Sequence, residues 1–428
     1  MDKRFSGLFQ LTEDEAIALL DTPQDQINEE GQSRYVAASH LVHFPTQRSI
    51  HALMRAVQCV ADTSLDNRIV RRKSVETLGR LQAAEALPII QTCLADDDSY
   101  TVENAVWAIG EIGTQDREIL EAVAQILEQP RQNHRVVIHT LSKLKYEPAL
   151  ERIRTFVESD DAATMSAASS AVCQLTGEMA LMDRVISLLQ HPRVLTRRLA
   201  IQDLVDARCY SAISAIARCP VSITFRLRGI RLLADAGVKA GAVTFEQVQP
   251  HLEQTLRDHP SDVALVNTYS HPPTMERLVR QLYETDFGLC YLAVKTILDE
   301  HRDAAPAALV KTYEEEACSD YGAHFHVMKL FGWLKYAPAY DVLVEGLHNR
   351  QPQFQKSRAA AAIALGELGN PAAIPDLKMA LESNIWDLQY AALMALESLG
   401  DTSGHDRLAH ASDWLVREKA TRKPSARA

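Results

Sequence analysis

The chain has 428 residues, too many for one ordinary closed core, so it is either several domains or one elongated repeat array. A formal net charge of −11, with Lys and Arg scattered along the chain, lacks the basic footprint of a phosphate-backbone binder and argues against a nucleic-acid partner. No segment approaches the eighteen or so unbroken apolar residues of a membrane span, and the start Met1-Asp2-Lys3-Arg4-Phe5 has no apolar stretch behind its charges, so a cytoplasmic protein with no membrane partner is expected.

In chain order, apolar residues recur at i, i+3, i+4 and i+7 nearly throughout, and alternating strand-like runs are absent. Residues 1–68 read as an N-terminal helical cap, with helices at 13–20, 33–42 and 48–60. Residues 69–235 carry a repeated landmark: Leu78-Gly79-Arg80-Leu81, Ile109-Gly110-Glu111-Ile112, Leu141-Ser142-Lys143-Leu144 and their successors. The landmark returns about every 31 to 34 residues in most steps, the period of a short HEAT-type helix pair. Residues 236–286 form a degenerate unit, broken by Gly241, Pro250, Pro260, Pro272 and Pro273, where a distorted repeat or a change of curvature is expected. The repeat resumes over 287–412 with Phe331-Gly332-Trp333-Leu334, Leu365-Gly366-Glu367-Leu368 and, in its clearest copy, Gly369-Asn370-Pro371 as a helix stop. Residues 413–428 are the end of a last helix and a polar, flexible tail. Seven cysteines occur singly, with no CxxC pair, and fifteen histidines show no ligand spacing, so reduced thiols and no metal are expected.

The pattern Val-Arg, Ala-Ala, Ala-Leu-Gly-x-Leu-Gly, in Val70-Arg71-Arg72, Val102 to Gly113 and Ser357-Arg358 to Gly369, resembles the HEAT-like repeats of the E/F-type phycobilin lyases. With the chain length, the opening Arg34-Tyr35-Val36-Ala37-Ala38-Ser39-His40-Leu41, the segment around Trp107 and the run at Phe331, it is similar to the cyanobacterial subgroup acting on the phycoerythrin α-subunit. The resemblance implies an all-α, right-handed α-solenoid. It also implies a lyase that joins phycoerythrobilin, a linear tetrapyrrole bilin taken as substrate with no cofactor, through a thioether to a cysteine of a phycoerythrin α-subunit. Some members isomerise the bilin to phycourobilin on attachment. The other enzyme family with such repeats, the di-iron deoxyhypusine hydroxylases, needs His-Glu steps that this sequence lacks. A non-catalytic HEAT scaffold and a bilin chaperone remain the alternative readings.

A bilin is an apolar ribbon with two propionates, and thiol addition to it requires delivery of a proton, so its site needs apolar walls, cations and an acid. Counting back from the landmark places two columns on the inner helix face: Arg72 with Glu76, Glu103 with Trp107, Arg135 with His139, Arg198 with Gln202, Tyr291 with Lys295, and Phe325 with Lys329. From these, Arg198, Arg135, Trp107, Glu103, Tyr291 and Lys295 are expected to bind bilin. The segment Cys318-Ser319-Asp320-Tyr321-Gly322-Ala323-His324 opens an inner helix. Asp320 is expected as proton donor or nitrogen partner, Tyr321 as a ring contact, Cys318 as a third catalytic candidate, and His324 as a propionate ligand. Asp320 reads equally as a helix N-cap. Tyr321 shares its repeat position with Phe287 and Trp386, and Arg226, Arg228 and Arg231 read as propionate ligands, as a contact for an acidic partner surface, or as a solvated run.

Overall fold

The structure is a computed structural model that describes residues 11–27 and 33–422. The first ten residues of the expected cap and the 423–428 part of the expected tail lie outside the described residues. The chain forms two compact units, Met1–Leu181 and Met182–Ala428, and no strand occurs among the described residues. This division falls inside the 69–235 run, where the repeat pattern continues unbroken.

The first unit holds α1 (Glu13–Asp21), α2 (Arg34–His40), α3 (Gln47–Gln58), α4 (Leu65–Arg80), α5 (Leu87–Thr92), α6 (Ser99–Ile112), α7 (Arg117–Gln125), α8 (His134–Lys143), α9 (Leu150–Arg154) and α10 (Ala162–Thr176). The longer helices α4, α6, α8 and α10 stack on one another in sequence order. Helix α1 packs on α2 and α3, and α2 and α3 pack on α4. The second unit holds α11 (Met182–Ser187), α12 (Val194–Asp206), α13 (Ile213–Arg218), α14 (Ile223–Lys239), α15 (Phe245–Arg257), α16 (Met275–Gln281), α17 (Phe287–Glu300), α18 (Ala305–Thr312), α19 (Tyr321–Trp333), α20 (Tyr340–His348), α21 (Gln355–Leu368), α22 (Ile374–Ala380), α23 (Trp386–Ser398), α24 (Ser403–Leu408) and α25 (Trp414–Thr421). Here α17, α19, α21, α23 and α25 stack in turn.

The landmark glycine is there because successive inner helices touch backbone to side chain. A Cβ on Gly332 would stand 2.7 Å from both Cα and Cβ of Ala364, and one on Gly366 would stand 2.9 Å from Cα of Ala395. The small residues of the repeat are therefore a packing requirement between neighbours. Replacing Gly332 with Val forces α19 away from α21, and equilibrium urea unfolding should show a loss of about 2–3 kcal/mol. A change of under about 0.5 kcal/mol would mean that the stack yields at no cost.

Within the second unit, residues far apart in the sequence are brought together by α14, α15 and the last helix. Helix α15 carries Pro250 and ends at Asp258, which adopts a left-handed φ of 56°. Helices α14 and α15 also meet the last helix: Arg231 pairs with Asp413, Trp414 donates to Asp235, Lys419 reaches Glu253 at 3.0 Å, and Arg422 pairs with Glu246. These partners are separated by 166 to 182 residues in sequence (Glu253 to Lys419, Arg231 to Asp413), so residues 223–257 and 413–422 close this unit.

At the end of α15 lies a buried polar knot. The hydroxyl of Tyr291 donates to both Asp258 oxygens at 3.0 Å and accepts from Arg226, which itself pairs with Asp258. Lys329 donates to the Leu256 and Arg257 carbonyls at 2.7 and 2.9 Å, serving the open C-terminal carbonyls of α15. All four side chains are buried, and burial lowers the Lys329 ammonium to about 8.

Candidate functional site

In the second unit a cavity of about 270 Å³ opens between the N-terminal half of α14 and the first turns of α21 and α23. From α14 come Ile223, Thr224, Leu227, Arg228, Arg231 and Leu232; from α21, Gln355, Lys356 and Ala359; from α23, Trp386 and Asp387. Residues 223, 227 and 231 are four apart on α14, so two aliphatic side chains and a guanidinium share one face. The floor is aliphatic, one wall is an indole, and the rim carries three cations and one carboxyl.

Each charged group has a distinct setting. Arg231 is held by Asp413, lies 3.7 Å from Asp235, and has its guanidinium 4.7 Å over the Trp386 ring. Arg228 donates to the Gln202 Oε1 at 2.7 Å. The Lys356 ammonium stands 4.3 Å from the Phe287 ring centre, 4.7 Å from that of Tyr321 and 5.2 Å from that of Phe325. It forms no ion pair among the described residues, and burial lowers it to about 8. Burial likewise raises the Asp387 carboxyl, against the opposing pull of its own N–H, the Leu388 N–H, Arg231 and Arg358.

Two hollows are larger, about 480 Å³ beside Arg257, His259 and Trp333 and about 630 Å³ beside His348, Arg350 and Met379. Their polar groups are largely satisfied internally: Arg302 donates to the Trp333 carbonyl, His348 reaches Asp376 at 2.7 Å, and Glu382 reaches Arg407 at 2.9 Å. In the smaller cavity Lys356 makes no ion pair among the described residues, and Asp387 accepts only from backbone N–H groups of its own turn, so both charged ends face the opening without a side-chain partner.

The residues expected from the sequence are distributed as follows. Asp320 is the N-cap of α19, accepting from the Gly322 and Ala323 N–H groups at 2.8 and 2.7 Å. Tyr321 is 52% exposed and meets the cavity through Lys356. Cys318 is exposed at the end of the wide turn Tyr313–Ala317. His324 is only 2% exposed, packed between the rings of Tyr313 and Phe354, and burial lowers it to about 4; it therefore stands in the core as a neutral ring and offers no face to a propionate. Tyr291 is likewise in the core, in the knot with Asp258, because the end of α15 covers the face that helical counting left open. Lys295 pairs with Asp299, and Arg198 lies 4.9 Å over Phe225 and donates to the Thr285 carbonyl. In the first unit, Trp107 packs against Gly79, Glu103 accepts from Asn133 at 3.0 Å, and Arg135 donates to the Ala163 carbonyl at 2.7 Å.

Lys356 and Asp387 were not singled out from the sequence. The available signal was Trp386, which shares the repeat position of Tyr321 and Phe287 and is followed directly by Asp387, a second lining residue. Of the arginine run, Arg226 is internal, whereas Arg228 and Arg231 line the cavity.

Comparison with known proteins gives three kinds of likeness. A family model described as HEAT repeats matches residues 60–135 and 340–423. The "Uncharacterized phycocyanin operon protein Y" of Pseudanabaena tenuis is 58% identical over 98% of this chain and 99% of its own length. The "Bilin biosynthesis protein CpeY" of Synechococcus sp. strain WH8020 is 32% identical over 86% of this chain and 89% of its own. Among solved structures, a chain of the CpcE–CpcF complex of phycocyanin lyase from Nostoc sp. PCC7120 aligns with a TM-score of 0.50 and 24% identity, covering 57% of this chain and 95% of that one. This last likeness speaks for the solenoid fold.

Proposed function

Because this chain belongs to the HEAT-repeat phycobilin lyase family of the E/F type, we propose that it attaches phycoerythrobilin through a thioether to a cysteine of a phycoerythrin α-subunit. Isomerisation to phycourobilin during attachment is part of the same proposal. The observation that carries it is the cavity of the second unit, where an aliphatic floor and the Trp386 wall lie beside Arg228, Arg231 and Lys356. That set matches a conjugated ribbon with two carboxylates better than it matches a peptide backbone, which would call for rows of donors and acceptors.

The nucleophile belongs to the acceptor subunit. Its thiolate adds to the exocyclic carbon of ring A while a proton goes to the ring, so one S–C and one C–H bond replace an S–H bond and a π bond. The lyase's task is to hold the ribbon, neutralise its propionates and supply the proton. At about 270 Å³, against roughly 300–1,000 Å³ for sites that enclose drug-sized ligands, the cavity takes one part of the ribbon. The exposed Tyr321 ring, bridged to it by Lys356, is the natural continuation.

Co-expression with bilin-synthesis enzymes and a phycoerythrin α-subunit tests the specific assignment. The absorption peak of the coloured subunit in acid urea should be that of attached phycoerythrobilin, or of phycourobilin if attachment includes isomerisation. Colour appearing on a phycocyanin subunit and never on the phycoerythrin α-subunit would refute the proposed acceptor.

A further inference from the structure

Resting on the bilin-lyase reading, we infer that Asp387 is the acid that hands the proton to the bilin, from its place in the wall of the cavity between α14, α21 and α23. Four observations support this. Asp387 lines the cavity next to the Trp386 indole, so a pyrrole lying against that ring has the carboxyl at its edge. Among the described residues its only hydrogen-bond partners are backbone N–H groups of its own turn, with the Leu388 N–H at 3.1 Å, and it makes no ion pair. The other acidic residues at inner-helix starts are already occupied: Asp98 caps α6 and holds Arg72, Asp286 caps α17 and holds Arg197, and Asp320 caps α19. Burial also pushes the Asp387 carboxyl toward its protonated form, the form an acid must have before it gives up its proton.

The step balances without an oxidant or a cofactor. The carboxyl O–H breaks and its proton passes to the ring A portion of the bilin, ending on carbon as the acceptor sulfur bonds to the exocyclic carbon. The proton lost by the acceptor thiol restores the carboxyl. The neighbouring cations anchor the propionates, so the acid and the anchors lie in one cavity with separate tasks.

The test uses the full chain, purified phycoerythrobilin and, in parallel, phycocyanobilin, with the apo α-subunit as acceptor. Asp387→Asn should bind bilin within about twofold of the unchanged chain, read by absorbance titration, while attachment slows about 100-fold or more. Asp387→Glu should restore part of the rate with a displaced basic limb in its pH profile, which a merely structural residue would not produce. Equal attachment by Asp387→Asn would overturn the inference, as would loss of binding and attachment in the same proportion. An unchanged chain that binds neither bilin would instead remove the bilin-lyase reading, and this inference with it.

Discussion

Replacing Asp258 with Ala should cost the second unit about 3–5 kcal/mol in equilibrium unfolding, the largest stability effect we expect from any single change. The substitution leaves Arg226 charged, internal and without its counter-ion, and it strips the Tyr291 hydroxyl of both acceptors. About 1 kcal/mol of that loss is conformational, because Ala tolerates the left-handed φ of position 258 poorly. Asp258→Asn separates the two contributions, since Asn accepts that backbone conformation but carries no charge. Removing both charges together, as Arg226→Met with Asp258→Leu, should be milder than the single change, because no uncompensated charge then remains inside. A loss below about 1 kcal/mol for Asp258→Ala would mean that water reaches the knot.

Replacing Lys356 with Met should weaken bilin binding by about 10- to 100-fold, the worth of one charge-assisted contact in a partly dry site. The pH dependence provides a second signature. Burial holds the ammonium near 8, below its ordinary 10.5, so between those two values the unfolded chain keeps a proton that the folded chain has released. Folding stability therefore rises with pH across that window. Propionate binding moves the other way, because it needs the charged form: affinity in the unchanged chain should fall as pH rises through about 8, and Lys356→Met should lack that fall. Binding that weakens equally in both proteins would assign the titration to another group.

The repeat architecture was legible because its signal is local. Landmark glycines mark where inner helices touch, as Gly332 against Ala364 shows, and Gly369 ends α21 at a φ of 76° where the Gly-Asn-Pro run placed a stop. Of the prolines of 236–286, Pro250 lies inside helix α15 and Pro260 opens a short turn of helix just after it. Long-range closure was not legible, since nothing near Arg231 announces a partner 182 residues away at Asp413. That closure also defeats face counting. Helical period places Tyr291 on an open column, yet the chain end of α15 lies across it and supplies Asp258. The same blindness left Arg226 open between a ligand contact and a solvated run, when it is wholly internal. At the site, the shared repeat position of Tyr321, Phe287 and Trp386 does not make one rim: Trp386 lines the cavity, Tyr321 meets it through Lys356 and Phe287 is buried, whereas Lys356 and Asp387 acquire meaning only when α14, α21 and α23 are brought together.

The most direct test of the central claim is a transfer assay with the purified chain, a bilin and an apo-phycobiliprotein subunit, read by zinc-enhanced fluorescence on a denaturing gel. The lyase account predicts a fluorescent subunit band that depends on this chain and disappears when the acceptor cysteine is replaced. A bilin that binds the chain but never becomes covalently attached to any subunit would contradict it.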